Sequence, residues 1–139
     1  MTFVDTNYFL RGLVRPETPR DEVMAREAAA LFRRAERGEE EITTSDAVLA
    51  EVAFVLSSPR QYNRPPDDIA ARLKPILELR GFRLPQKRVV LRALDIWAAS
   101  PRLGFVDALT ASYAQEPGAT LATFDSDFDD LPGITRYRP

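Results

Sequence analysis

Four carboxylates, Asp5, Glu51, Asp107 and Asp125, fall where a strand of an α/β protein ends or a helix leaves it, and Asp127 follows two residues after the last. In open α/β sheets the carboxyl edge of the strands is where ligands bind. Acids crowded on that edge repel one another, and no lysine or arginine adjoins these in sequence. A hard divalent cation with oxygen ligands resolves the conflict. The chain contains neither histidine nor cysteine. That excludes a Ser-His-Asp triad, a Cys-His pair, a disulfide framework and a zinc site of the usual nitrogen or sulfur type. Any hydrolysis by this chain must therefore run on carboxylates and a cation. Each acid also has a plainer reading: Asp5 as a helix cap, Glu51 as a solvated helical glutamate, the others as caps or surface acids. Four coincidences of position favour a shared site.

The elements that must position them can be read around Phe105 to Phe128 (FVDALTASYAQEPGATLATFDSDF). Asp107 opens a helix whose Ala108, Ala111 and Ala114 make a small, closely packable face. Pro117-Gly118 stops that helix, because proline cannot continue the ladder and glycine accepts a left-handed turn. Ala119 to Thr123 has the length of a buried strand, and Asp125 follows it. A helix leading into a strand of a doubly wound sheet runs antiparallel to it, so Asp107 and Asp125 are predicted to share one edge.

Met1 to Val4 predicts the first strand, with Asp5-Thr6-Asn7 behind it and a helix from Tyr8 capped by Asp5 or Thr6. Residues 21–37 carry Met24, Ala28, Leu31, Phe32 and Ala35 on one helical face, and Gly38 ends the run. Ile42 to Thr44 is a short strand, and Ser45 or Asp46 caps a helix with Val48, Leu49, Val52, Val55 and Leu56 inward. Glu51 borders that stripe roughly 6–9 Å down the axis, and helical side chains lean back toward the N-terminus, so it can reach the edge. Pro59 to Pro66 is a loop rich in proline, arginine and asparagine. The next helix, from Asp67 or Asp68, contains Pro75, which predicts a kink or a split. A strand near Phe82, Pro85 at the first position of a helix with Val90, Ala93, Leu94 and Trp97, and a last strand near Ile134 complete the chain. Alternating strands and helices mean α/β with a mostly parallel sheet of four to five strands.

With 139 residues, 45% hydrophobic and 29% charged, the chain predicts one ordinary domain. No apolar run approaches the roughly 18 residues of a membrane span and no signal-peptide layout opens it, so the expected location is cytoplasmic. The net charge of −2 argues against binding nucleic acid by bulk electrostatics. Of 19 basic residues 17 are arginine, which reflects genomic composition or favours forked phosphate contacts. Asp125, Asp127 and Asp129 mimic the start of a calcium loop, but its sixth and twelfth positions are Asp130 and Arg136 instead of glycine and glutamate.

FVDTN at residues 3–7, TTSDAVLAEV at 43–52, GFVDALTASYA at 104–114 and LATFDSDF at 121–128 together resemble the PIN-domain ribonucleases, specifically the toxins of VapC-type toxin–antitoxin pairs. The resemblance spans the whole chain, 1–139, as a single domain. It implies a three-layer fold, a parallel sheet between helices, with Asp5, Glu51, Asp107 and Asp125 as the quartet holding Mg²⁺ or Mn²⁺. Thr6, Asn7 and Thr123 match the polar residues that orient those acids, and Asp127 falls where many relatives carry a further acid. It also implies RNA as substrate, attack by metal-activated water leaving 5′-phosphate and 3′-hydroxyl ends, a cognate antitoxin protein, and a homodimer. Two rivals remain: a PIN-like module that binds RNA or protein without cutting, and a phosphotransfer receiver. A receiver needs paired acids after its first strand and a late strand-end lysine, whereas the only lysines here are Lys74 and Lys87.

Overall fold

Two short parallel strands set the frame. The computed structural model describes residues 1–139. Strand β1 (Thr2–Phe3) pairs with β2 (Ile42–Thr43) in the register Thr2 to Ile42 and Phe3 to Thr43. On its other side Ile42 is bridged to Phe82, with Ile42 N–H donating to Gly81 O at 2.9 Å and Arg83 N–H to Ile42 O at 2.7 Å. Gly81 has to be glycine, because a Cβ there would run into the carbonyl oxygens of Glu40 and Ala35.

Six helices follow from local chemistry. Helix α1 (Thr6–Leu13) starts directly after β1. Helix α2 (Pro19–Glu36) begins on Thr18, whose hydroxyl accepts from Asp21 N–H, and ends before Gly38 in the left-handed conformation. Helix α3 (Asp46–Ser57) is capped by Ser45, which accepts from Val48 N–H. Helix α4 (Pro66–Leu77) runs unsplit through Pro75. The proline sits in the last turn, where it costs one ladder bond, and burial of Leu73 and Leu77 on either side holds the helix. Helix α5 (Lys87–Ala99) starts two residues after Pro85 instead of on it, because residues 84–87 make a turn first, Lys87 N–H to Leu84 O. Helix α6 is Phe105–Ala114, and a short 3₁₀ turn covers Ser126–Phe128.

One core of 26 residues joins these elements. Phe9 stacks between Phe32 and Phe82, with centroids at 6.0 and 6.1 Å. Trp97 meets Phe105 edge-on at 5.5 Å and donates to Leu103 O, so it is core, as its helical spacing predicts. Helices α5 and α6 are tied through buried Ser112, whose hydroxyl donates to Val89 O and accepts from Arg92.

The sheet is smaller than the four to five strands expected. Only β1 and β2 form a ladder. Ala119 to Thr123 contributes a single parallel bridge, Leu121 to Arg136, and not a strand paired with β1. At its end the Arg136 guanidinium donates to Thr123 O at 2.9 Å and, just beyond the stretch, to Asp125 O at 2.7 Å. The last expected strand, near Ile134, is likewise reduced to that bridge.

Candidate active site

Parallel pairing brings the ends of β1 and β2 to one edge. Val4 N–H donates to Thr43 O, and the buried Thr44 hydroxyl donates to Val4 O at 2.8 Å, locking the two strand ends together. Asp5 leaves that edge at the N-cap position of α1, yet its side chain makes no capping hydrogen bond. The plain reading of Asp5 as a cap therefore fails. Thr6 and Asn7 occupy the first two positions of α1, and neither side chain is bonded to an acid.

Glu51 lies on the exposed face of α3. Asp107 is half-buried in the first turn of α6 and lines a cavity of about 550 Å³ together with Ala50, Ala53 and Phe54 of α3. Asp125 caps the 3₁₀ turn by accepting from Asp127 N–H at 2.8 Å, and its own N–H donates to the Thr123 hydroxyl at 3.0 Å. Thr123 thus steadies Asp125 through the backbone and leaves the carboxylate to Asp127. Arg102 approaches Asp127 at 3.8 Å and Asp130 at 3.7 Å, while Arg11 pairs with Asp21 at 3.3 Å.

Of the chain's 11 aspartates, only Asp5 and Asp107 have side chains with neither a hydrogen bond nor an ion pair; the Glu51 side chain has none either. Oxygen donors without a protein cation are what a hard divalent ion requires. The structure nevertheless gathers no three acids into a metal-holding group. It places Asp125 and Asp127 together, sets Asp107 on a cavity wall with α3, and leaves the quartet unassembled.

Three participants escaped the sequence reading. Thr44 had a signal, a threonine one residue past a strand. Asp46 accepts from Tyr113 Oη at 2.7 Å, a pairing no local pattern reveals. Arg136 clamps Thr123, Asp125 and Asp129, and only the fold brings it there.

Residues 2–134 match the PIN domain family. This chain is a PIN domain. PIN domains are generally nucleases, which makes hydrolase the coarse class of this one, with RNA binding and divalent metal use as the usual family traits. None of the curated proteins compared with this PIN domain matches it. No helix of the PIN domain is long and apolar enough to cross a membrane.

Proposed function

We propose that residues 1–139 are one catalytic PIN domain, a metal-dependent ribonuclease of the toxin kind, cytoplasmic, homodimeric and inhibited by a cognate antitoxin. The observation that carries this reading is that the side chains of Asp5, Glu51 and Asp107 have no hydrogen-bond or ion-pair partner, in a chain whose other aspartates are all partnered. These three, with Asp125, would hold Mg²⁺ or Mn²⁺. When bound, such a cation supplies Lewis acidity toward water and toward a phosphodiester. The chain's own work is to orient: Thr44 and Thr123 fix the backbones that carry Asp5 and Asp125, and Asp107 stands half-buried in the first turn of α6.

Assembly of the quartet needs one more strand on β1. Thr2 and Val4 direct their N–H groups to β2, so by alternation those of Phe3 face an unpaired edge. We assign that edge to Leu121–Thr123, which would bring Asp125 beside Asp5 and extend the sheet toward four or five strands. Phe3, 57% exposed, and Phe124, wholly exposed, are the apolar surface that such pairing would cover.

Incubating the purified protein with single-stranded RNA in Mg²⁺, Mn²⁺ or EDTA tests the reading. Cleavage with either metal and none in EDTA is expected, leaving 5′-phosphate ends. Full activity in metal-free protein overturns it. The ungathered acids favour a second reading, a PIN module that binds RNA or protein without cutting. Binding of RNA with no cleavage in either metal would select that one. Growth arrest on expression, relieved by a small partner docking on α2 and α3, is the expected cellular counterpart, and a purified toxin–antitoxin pair with undiminished activity would remove the inhibitor from the proposal.

A further inference from the structure

The cavity of about 550 Å³ beside Asp107 is not explained by a metal site. Its wall runs from the C-terminal half of α3, through the loop at residues 58–65, to the first turn of α6. Phe54 stands at its mouth with 64% of its surface exposed, a large cost for a ring that has no partner. Trp97 and Phe105 form its floor, already locked edge-to-face and by the indole hydrogen bond to Leu103 O.

The loop on the rim is ordered by its own backbone. Gln61 and Asn63 N–H both donate to Ser58 O, and Arg64 N–H donates to Leu56 O at 2.8 Å. Asn63 holds a left-handed conformation, φ 48°, which asparagine tolerates better than other non-glycine residues. Residues 58–65 contain Arg60, Tyr62, Asn63 and Arg64 and no acid. Arg64 touches Asp68 through one nitrogen at 3.3 Å, and Asp68 is also held by Arg72. A guanidinium has five N–H donors, so Arg64 keeps the capacity to bind an anion.

We infer that this cavity holds one unpaired base of single-stranded RNA, stacked on Phe54, with an adjacent phosphate on Arg64 and the backbone passing Asp107. The inference rests on the nuclease reading and deepens it by naming a base-selecting subsite next to the cut. An exposed aromatic ring, a cation and an amide around a cavity of about 550 Å³ is the chemistry by which unstacked bases are held. The size suits one nucleotide and excludes a duplex. The uncharged Asn63 side chain lining the wall supplies both donor and acceptor for a base edge.

Trp97 is the only tryptophan in the chain and lines the cavity, so its fluorescence reports occupancy directly. Each of the four nucleoside 5′-monophosphates is titrated in EDTA into the wild type, Phe54→Ala, Phe54→Tyr and Arg64→Gln. Saturable quenching with affinity that depends on the base is expected. Phe54→Ala weakens it roughly tenfold or more, Phe54→Tyr restores it, and Arg64→Gln weakens all four nucleotides alike. Because Phe54 is exposed, its replacement leaves folding intact, which a thermal melt verifies. No saturation with any nucleotide at millimolar concentration, or saturation unchanged in Phe54→Ala, overturns the subsite. Quenching by a partner protein when every nucleotide fails also overturns it, and gives the cavity to a protein side chain. Metal-dependent cleavage without these effects leaves the nuclease reading standing and removes the subsite. Nucleotide binding with the Phe54 dependence but no cleavage removes catalysis and keeps the cavity as a nucleotide site.

Discussion

Tyr113 Oη donates a 2.7 Å hydrogen bond to Asp46 Oδ2, joining the last turn of α6 to the first turn of α3. The two helices therefore run antiparallel, and Asp107 comes to lie against the later turns of α3. The bond pushes the Tyr113 hydroxyl up to about 12, with burial adding to the effect of Asp46. A raised pKa in the folded state means that the stabilisation is complete below about pH 10 and disappears as the pH climbs toward 12. Tyr113→Phe should cost about 1 kcal/mol at neutral pH, since the ring is partly exposed and solvent screens the bond. Denaturant melts of both proteins from pH 8 to pH 12 check this: a gap that does not close at the alkaline end would show that the bond contributes nothing.

Stability and activity should separate at the unpartnered acids. Asp5→Asn removes only the charge of an exposed side chain that caps nothing, so stability should stay within the range of ordinary surface changes, about 0.5 kcal/mol. Asp107→Asn gives up a first-turn charge and should lose about 0.3–1 kcal/mol in EDTA. Both should abolish cleavage, and both should shrink the stabilisation by Mg²⁺, about 2.7 kcal/mol when the metal is at 100 times its Kd. An Asp107→Asn protein that gains stability from Mg²⁺ as fully as wild type would make Asp107 a helix-end charge and no ligand.

Strand addition on β1 has a residue-level readout. Amide hydrogen exchange should find Thr2 and Val4 protected with or without metal, because both already donate to β2. The Phe3 amide should exchange freely in EDTA and slow in Mg²⁺ as Leu121–Thr123 pairs with it. If Phe3 stays unprotected in Mg²⁺ while RNA is being cut, the site assembles some other way.

Ser112 carries the α5–α6 contact. Its hydroxyl is fully buried, donates to Val89 O at 2.7 Å and accepts from Arg92 Nε at 3.0 Å. Ser112→Ala strands both partners and should cost about 1–3 kcal/mol. Urea midpoints measure it, and a loss below about 0.5 kcal/mol would mean that Arg92 is satisfied by Glu116 and Ser112 O alone.

Helix positions were legible in the sequence because capping and periodicity act over three or four residues. Ser45 starts and Gly38 stops a helix where its side chain, or the lack of one, predicts, whereas Thr18 starts α2 ahead of the expected residue 21. The absence of histidine and cysteine, together with acids spaced along an alternating α/β pattern, was enough to point to oxygen-ligand chemistry, and the resemblance of four short motifs pointed to the PIN family that residues 2–134 match. Pairing partners distant in sequence were not legible. Leu121–Thr123 has the composition of a central strand, yet it pairs only through the Leu121–Arg136 bridge, with the Arg136 side chain on Thr123 O. Whether Asp5 capped α1 was open in the sequence, since an aspartate before a helix serves either role; its free carboxylate was decided by the edge on which β1 ends. Tyr113 and Asp46, far apart along the chain, meet only because α3 and α6 cross. Local hydrogen bonding is written residue by residue, whereas the neighbours of a carboxylate depend on which elements pack together, and that is settled by the tertiary fold.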